Sequence, residues 1–278
     1  MRKFKIVADS SCDLLQLKHV DFAYAPMKVI TAEREFVDDA SLDLEGMINF
    51  FDTYKGKSQT SCPNLADWLE AFDGADDIIC VTITSGLSGS YNSACAAKKE
   101  YEARHEGSRV FVLDTLSAGP ELTLVIEKIE EFVKEGLEFD DVCEKIQQYL
   151  KGTGLIFVLQ SLKNFANNGR VSPAVAKIAG IMGICIIGKA SDVGTLEPIH
   201  KCRGMARSFE TMVEDLAGFG VRSGKVSIGH TANEEGALRL KAMIQAKFGE
   251  AKVEVHKLRG LCSFYAEKGG ILVAFEKA

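Results

Sequence analysis

Residues 84–94, Thr84-Ser85-Gly86-Leu87-Ser88-Gly89-Ser90-Tyr91-Asn92-Ser93-Ala94, follow the apolar run Ile78-Ile79-Cys80-Val81 and pack five serine and threonine hydroxyls, two glycines and a tyrosine together. The apolar run reads as a strand over 77–83, the hydroxyl-rich stretch as a tight loop, and the residues onward to about Arg104 as a helix. A strand–loop–helix junction of this kind is the building unit of a parallel α/β sheet, in which a helix returns the chain for the next parallel strand.

The same rhythm extends on both sides of the stretch. Lys5-Ile6-Val7-Ala8 reads as a strand ending in Asp9-Ser10-Ser11, residues 22–30 as a second, and residues 109–113 as another ending in Asp114-Thr115. Residues 44–54 and 65–72 carry helical spacing, and 120–134 places Leu122, Val125, Ile126, Ile129 and Phe132 on one helical face. Beyond about residue 152 a second set begins. Strands are expected at 155–159, 225–230, 253–255 and 271–275, and helices at 206–216 and 233–248. Residues 162–172 read as a polar turn into an apolar helix, followed by the Gly- and Ile-rich run 178–188 and the turn Asp192-Val193-Gly194. The fold class expected is α/β in two domains. The first, over 1–151, has a mostly parallel sheet; the second, over 152–278, has a mixed sheet.

Composition bounds the function classes. The chain has 278 residues, 46% hydrophobic and 26% charged, as in an ordinary globular protein with a large core. A net charge of −6 and the absence of any cluster of five or six basic residues argue against a nucleic-acid backbone or an anionic membrane surface as partner. The N-terminus runs straight into a strand without a signal-peptide pattern, and the most apolar run, 178–188, is about half the length of a membrane span. A cytoplasmic protein without membrane insertion is expected. The eight cysteines are scattered with no C-x-x-C pair, and Cys80, Cys95, Cys143 and Cys185 sit in apolar surroundings, so small hydrophobes rather than disulfides or zinc ligands are expected. No His/Asp/Glu/Cys set has metal-ligand spacing, and no metal or cofactor is expected.

Three strand ends carry Asp or hydroxyl residues: Asp9-Ser10-Ser11, Thr84-Ser85 and Asp114-Thr115. Ligands of open α/β sheets sit beyond the carboxyl ends of the strands, although Asp, Ser and Thr are also ordinary turn and cap residues. Gly86-Leu87-Ser88-Gly89-Ser90 resembles a nucleophile elbow but lacks its final glycine. A serine hydrolase would need a base. Of the five histidines, His19, His105 and His256 lie in polar, exposed-looking stretches, and His230, at a strand end, is the only plausible base, with Glu234 or Glu235 as acid.

The competing reading is an anion cradle. A small-residue loop at a helix start presents free N–H groups and a positive dipole end, and Gly89 lets a ligand approach the backbone. With neither a P-loop lysine nor G-x-G-x-x-G, a carboxylate suits it better than a nucleotide phosphate. A second hydroxyl loop, Gln59-Thr60-Ser61-Cys62-Pro63-Asn64, reads as Ser61 capping a helix with Pro63 early in it, which leaves Thr60 free to face the same ligand as Ser88. Arg170 and Arg203, each beside a glycine, are the cations worth naming; a surface ion pair or carbonyl capping would also explain either.

Together these segments resemble the DegV family of bacterial fatty-acid-binding proteins, which includes the binding subunits of the fatty acid kinase system. The resemblance is carried, in family order, by Ala8-Asp9-Ser10-Ser11-Cys12-Asp13-Leu14, Thr60-Ser61-Cys62-Pro63-Asn64, residues 85–94, Val112-Leu113-Asp114-Thr115, Asn168-Gly169-Arg170-Val171-Ser172, Gly194 with Pro198, and Lys201-Cys202-Arg203-Gly204. It implies a long-chain fatty acid such as palmitate, stearate or oleate held between two α/β domains, its carboxylate on Thr60 and Ser88 beside Ser61 and Gly89. It also implies a separate kinase subunit that would phosphorylate the acid, so the binding protein itself catalyses nothing. Two departures stand out: Ala266 near the place of a family histidine, and Cys185-Ile186-Ile187 where the family has Ile-Lys-Pro. The tunnel wall is expected from 155–159 and 178–188. A ~16-carbon tail buried there is worth on the order of 10 kcal/mol gross. The carboxylate's burial costs several kcal/mol, which two or three hydrogen bonds of about 1.5–3 kcal/mol each can offset.

Overall fold

The computed structural model describes residues 2–172, 175, 181 and 183–277. Strands β1 (Phe4–Asp9), β2 (Asp21–Ala25), β6 (Asp77–Thr82) and β7 (Arg109–Asp114) form a sheet in the order β2-β1-β6-β7, parallel throughout. Residues alternate across it. Ile6, Ala8, Ile79 and Val81 face helices α4 (Pro120–Lys134) and α5 (Phe139–Lys151), while Val7, Ile78 and Cys80 face α2 (Leu65–Phe72) and α3 (Ser90–Arg104). Because both faces are covered, β6 is buried along its whole length, as parallel strands require. The chain leaves β1 toward β2 on one side and enters β6 on the other. The point between β1 and β6 is therefore a topological switch point, where a crevice opens beyond the strand ends.

The expected single strand over 22–30 is two strands in different sheets. Pro26 lacks an N–H and restrains the residue before it, and β3 (Lys28–Thr31) turns away to pair antiparallel with β4 (Glu35–Val37) and β5 (Ser58–Ser61). Between these last two strands runs α1 (Leu44–Thr53). Thr60 therefore sits on a strand, opposite Val29, and not in a loop. Ser61 is not the cap of α2 either. Asn64 is, in a capping box with Asp67, because an amide oxygen one turn before Asp67 reaches two orphan N–H groups.

The second sheet is mixed, in the order β10-β9-β8-β13-β11-β12, from β8 (Thr153–Leu159), β9 (Ile184–Ala190), β10 (Leu196–Arg203), β11 (Gly224–His230), β12 (Ala251–Lys257) and β13 (Ile271–Glu276). Only β11 and β12 pair in parallel. On β8, Ile156 and Val158 point into a core with the helices Met205–Gly218 and Glu234–Lys247, whereas Leu155, Phe157 and Leu159 point the other way, toward the first sheet. The turn expected at 162–169 contains a short helix, Lys163–Asn167. Within the run 178–188, residues 178–180 and 182 lie outside the described residues; 184–188 form most of β9.

A helix over Gly260–Ala266, not expected from the sequence, enters the first half of the molecule and packs on β3 and α1. Its first N–H groups, of Gly260 and Leu261, both donate to the Asp38 carboxylate at 2.9 Å. The hairpin loop between β9 and β10 docks from the second half as well. Thr84 Oγ1 donates to the Gly194 carbonyl at 2.7 Å, and a Cβ on Gly86 would lie 2.7 Å from the Val193 carbonyl oxygen. Only glycine at 86 permits that approach.

Candidate ligand-binding site

At the switch point the strand ends are knitted by a carboxylate. Asp9 is fully buried at the end of β1; its Oδ2 accepts from Ile83 N at 2.9 Å and Ser90 Oγ at 2.6 Å, and its Oδ1 from the backbone N–H and hydroxyl of Ser11. Burial pushes the Asp9 pKa up, against the pull of these hydrogen bonds. The loop after β6 is fastened to the loop after β7 by Thr84 N to Ser117 O at 2.8 Å and by Ser85 N to Asp114 Oδ1 at 3.1 Å. All three polar strand ends thus hold the scaffold together, and none of them is among the cavity residues.

What remains beyond the loop is a cavity of about 320 Å³ between the two sheets. That size is within the range of small-molecule sites. Thr60, Ser61, Cys62, Ser88, Gly89 and Arg170 line one part of it. Ser93 Oγ donates to the Pro63 carbonyl at 2.8 Å and brings the two hydroxyl segments side by side. Their hydroxyls differ in what they have free. Ser61 spends its proton on the Cys62 carbonyl at 3.2 Å. Ser88 Oγ accepts from Ser90 N at 3.3 Å and, among the described residues, donates to nothing. Thr60 Oγ1 lies 2.8 Å from the hydroxyl of Tyr265.

The rest of the wall is apolar. Leu155, Phe157 and Leu159 come from β8, Leu272 from β13, and Leu261 and Ala266 from the late helix. From the neighbourhood of the 178–188 run the wall takes Lys189 and Ala190, the last residues of β9.

Arg170 reaches the cavity and donates from Nε to the Leu87 carbonyl at 3.1 Å and from Nη1 to the Asn168 carbonyl, so it steadies the Ser88 loop from the second half. Arg203 ends β10, exposed, and is not among the cavity residues. Neither is His230. It is buried, accepts at Nδ1 from Asn233 N at 3.3 Å, and borders a separate small cavity with Glu45, Asn49 and Lys257. Burial lowers its pKa. Among the described residues no histidine lines the cavity of Ser88, so the Ser88–His230 pairing that a hydrolase needs is not formed. His256, expected to be exposed, is half-buried, and burial holds its pKa down at about 4.

Tyr265 is the residue that sequence reading missed. The segment 262–270 reads there as the loss of a histidine at Ala266; in the folded chain the preceding side chain brings a hydroxyl to the same cavity. Its signal was an aromatic pair, Phe264-Tyr265, next to a departure from the pattern.

A family model described as an uncharacterised protein of the DegV family matches residues 3–277. The chain belongs to the DegV family. It is 39% identical over 277 residues to a DegV domain-containing protein of Streptococcus pneumoniae, covering 98% of this chain and 99% of that one. A crystal structure of a DegV family protein from Eubacterium eligens, loaded with heptadecanoic acid, superposes with a TM-score of 0.97 at 41% identity, covering 99% of this chain and all of that one. The Streptococcus pneumoniae fatty acid kinase (Fak) B3 protein, loaded with linoleic acid, gives a TM-score of 0.97 at 38% identity with the same coverage. The α/β fold, with one parallel and one mixed sheet, is that of these DegV structures. Among the described residues no helix is long and apolar enough to cross a membrane, and no group of three or more His, Cys, Asp or Glu is placed to hold a metal ion.

Proposed function

We propose that this DegV protein binds a long-chain fatty acid non-covalently, its carboxylate on Ser88 and Thr60 and its chain along the β8–β13 face. The single observation that carries this reading is one cavity with the Ser88 and Thr60 hydroxyls at one part of its wall and an apolar sheet face along the rest. Burying the chain supplies affinity, about 0.8 kcal/mol per methylene. The hydroxyls offset the several kcal/mol that a buried carboxylate costs and so fix which end of the lipid sits where. The fatty acids held by relatives at 41% and 38% identity support the ligand class.

Within this reading residues 1–151 and 152–278 are the two domains, the lipid lies between them, and the chain works in the cytoplasm. It leaves the lipid chemically unchanged and presents the carboxylate to a separate fatty acid kinase subunit, as the kinase-system name of one relative suggests. The test is native mass spectrometry of the purified protein followed by lipid extraction and re-addition of palmitate. The expected result is about one unchanged fatty acid per chain and no labelling of Ser88 by a fluorophosphonate probe. A protein that carries no lipid and takes up neither palmitate nor oleate contradicts the binding reading; a labelled Ser88 contradicts the non-enzymatic one.

A further inference from the structure

Thr60 has one hydroxyl proton and, among the described residues, one close protein partner for that hydroxyl, the phenol of Tyr265 at 2.8 Å. If Thr60 donates to a ligand carboxylate, it has no proton left for Tyr265. The bond between them must then run from the phenol to Thr60 Oγ1. A phenol is the stronger donor of the two, and a donor behind a donor polarises the one in front.

The phenol is held for this. Its ring lies 4.7 Å from that of Phe165 and 5.0 Å from that of Phe264, and its helix is pinned at the start by Asp38. Burial raises its pKa, so the phenol keeps its proton.

We propose that Tyr265 is a positioning residue for carboxylate recognition: it donates to Thr60 and commits the Thr60 proton to an anionic ligand headgroup. Thr60 thereby becomes a one-way donor, and the site favours a carboxylate over an uncharged headgroup on the same chain. The proposal rests on the fatty-acid reading above. It also gives a physical role to the 262–270 segment, in which a phenol one residue before Ala266 supplies the polar group.

The test compares palmitate with hexadecanol on the wild type, Tyr265→Phe, Thr60→Val and the double variant, by competition against a fluorescent fatty acid. Tyr265→Phe keeps the ring and its stacking, so a folded protein is expected. Its palmitate affinity should fall about tenfold, the loss of one hydrogen bond to a charge-bearing chain. Hexadecanol affinity should stay within about twofold, since no anion is lost. On the Thr60→Val background, Tyr265→Phe should cost palmitate nothing more. Unchanged palmitate affinity, an equal loss for both ligands, or additive losses in the double variant would each overturn the relay. A wild type that binds neither lipid would instead refute the fatty-acid reading, so the two failures are told apart.

Discussion

Two buried carboxylates lie at opposite ends of the parallel sheet and are held by opposite means. Asp77 begins β6, where the guanidinium groups of Arg2 and Arg109 grip it at 2.7–2.9 Å. Burial would raise its pKa, but these hydrogen bonds prevail and hold it at about 2. Asp9 ends β1 beside the cavity and has only hydroxyls and backbone N–H groups around it, so burial prevails and its pKa goes up. The end with cations serves stability. The end with hydroxyls shows, within the protein itself, how a carboxylate is lodged on hydroxyls and N–H groups with no guanidinium clamping it. A guanidinium clamp would hold a ligand carboxylate harder, whereas hydroxyls hold it by geometry and leave the acyl chain to supply the affinity.

That contrast can be broken from either end. The largest effect is expected at Asp9. Asp9→Ala leaves Ile83 N, Ser90 Oγ and Ser11 without their acceptor in a dry site, and denaturant unfolding should show a loss of about 3 kcal/mol or more. A loss under about 1 kcal/mol would mean that water already serves these donors.

Asp77 gives the next effect, with the sign set by its depressed pKa. Its contribution is fully present above the ordinary carboxylate pKa near 3.8 and is lost as pH falls toward about 2. It should amount to about 2 kcal/mol. The unfolding free energy of the wild type should therefore fall between pH 5 and pH 2 more steeply than that of Asp77→Asn. Parallel profiles would remove the guanidinium clamp as the source. Lipid binding at neutral pH should be the same in both, because Asp77 lies at the far end of its strand.

Much of this arrangement was legible in the sequence, and the misses have physical causes. The parallel sheet showed in the alternation of strands with helices, and the junction at 77–94 fell where that rhythm placed it. The division of 22–30 hung on Pro26, a residue compatible with an extended stretch and with its end. The β5 strand, Ser58–Ser61, was hidden because Gln59-Thr60-Ser61 is too polar to read as a strand; its backbone pairing with β3 decides it. The Gly260–Ala266 helix was hidden because its start is set by Asp38, more than two hundred positions away in the sequence. That long-range contact is also why Tyr265 could not be found by spacing. His230, the base that the sequence offered, ends β11 and lies in another cavity, a placement that only the folded sheet decides.

The central claim is that the hydroxyl end reads the carboxylate and the apolar sheet face reads the chain. The most direct measurement is the ratio of palmitate to hexadecanol affinity in the wild type and in the Thr60→Val, Ser88→Ala double variant. The account predicts that the wild type prefers the acid. It predicts that the double variant loses on the order of tenfold or more in palmitate affinity. Hexadecanol binding should change little, so the preference disappears. A double variant that keeps the full preference for the acid would contradict the account and place carboxylate recognition elsewhere in the cavity.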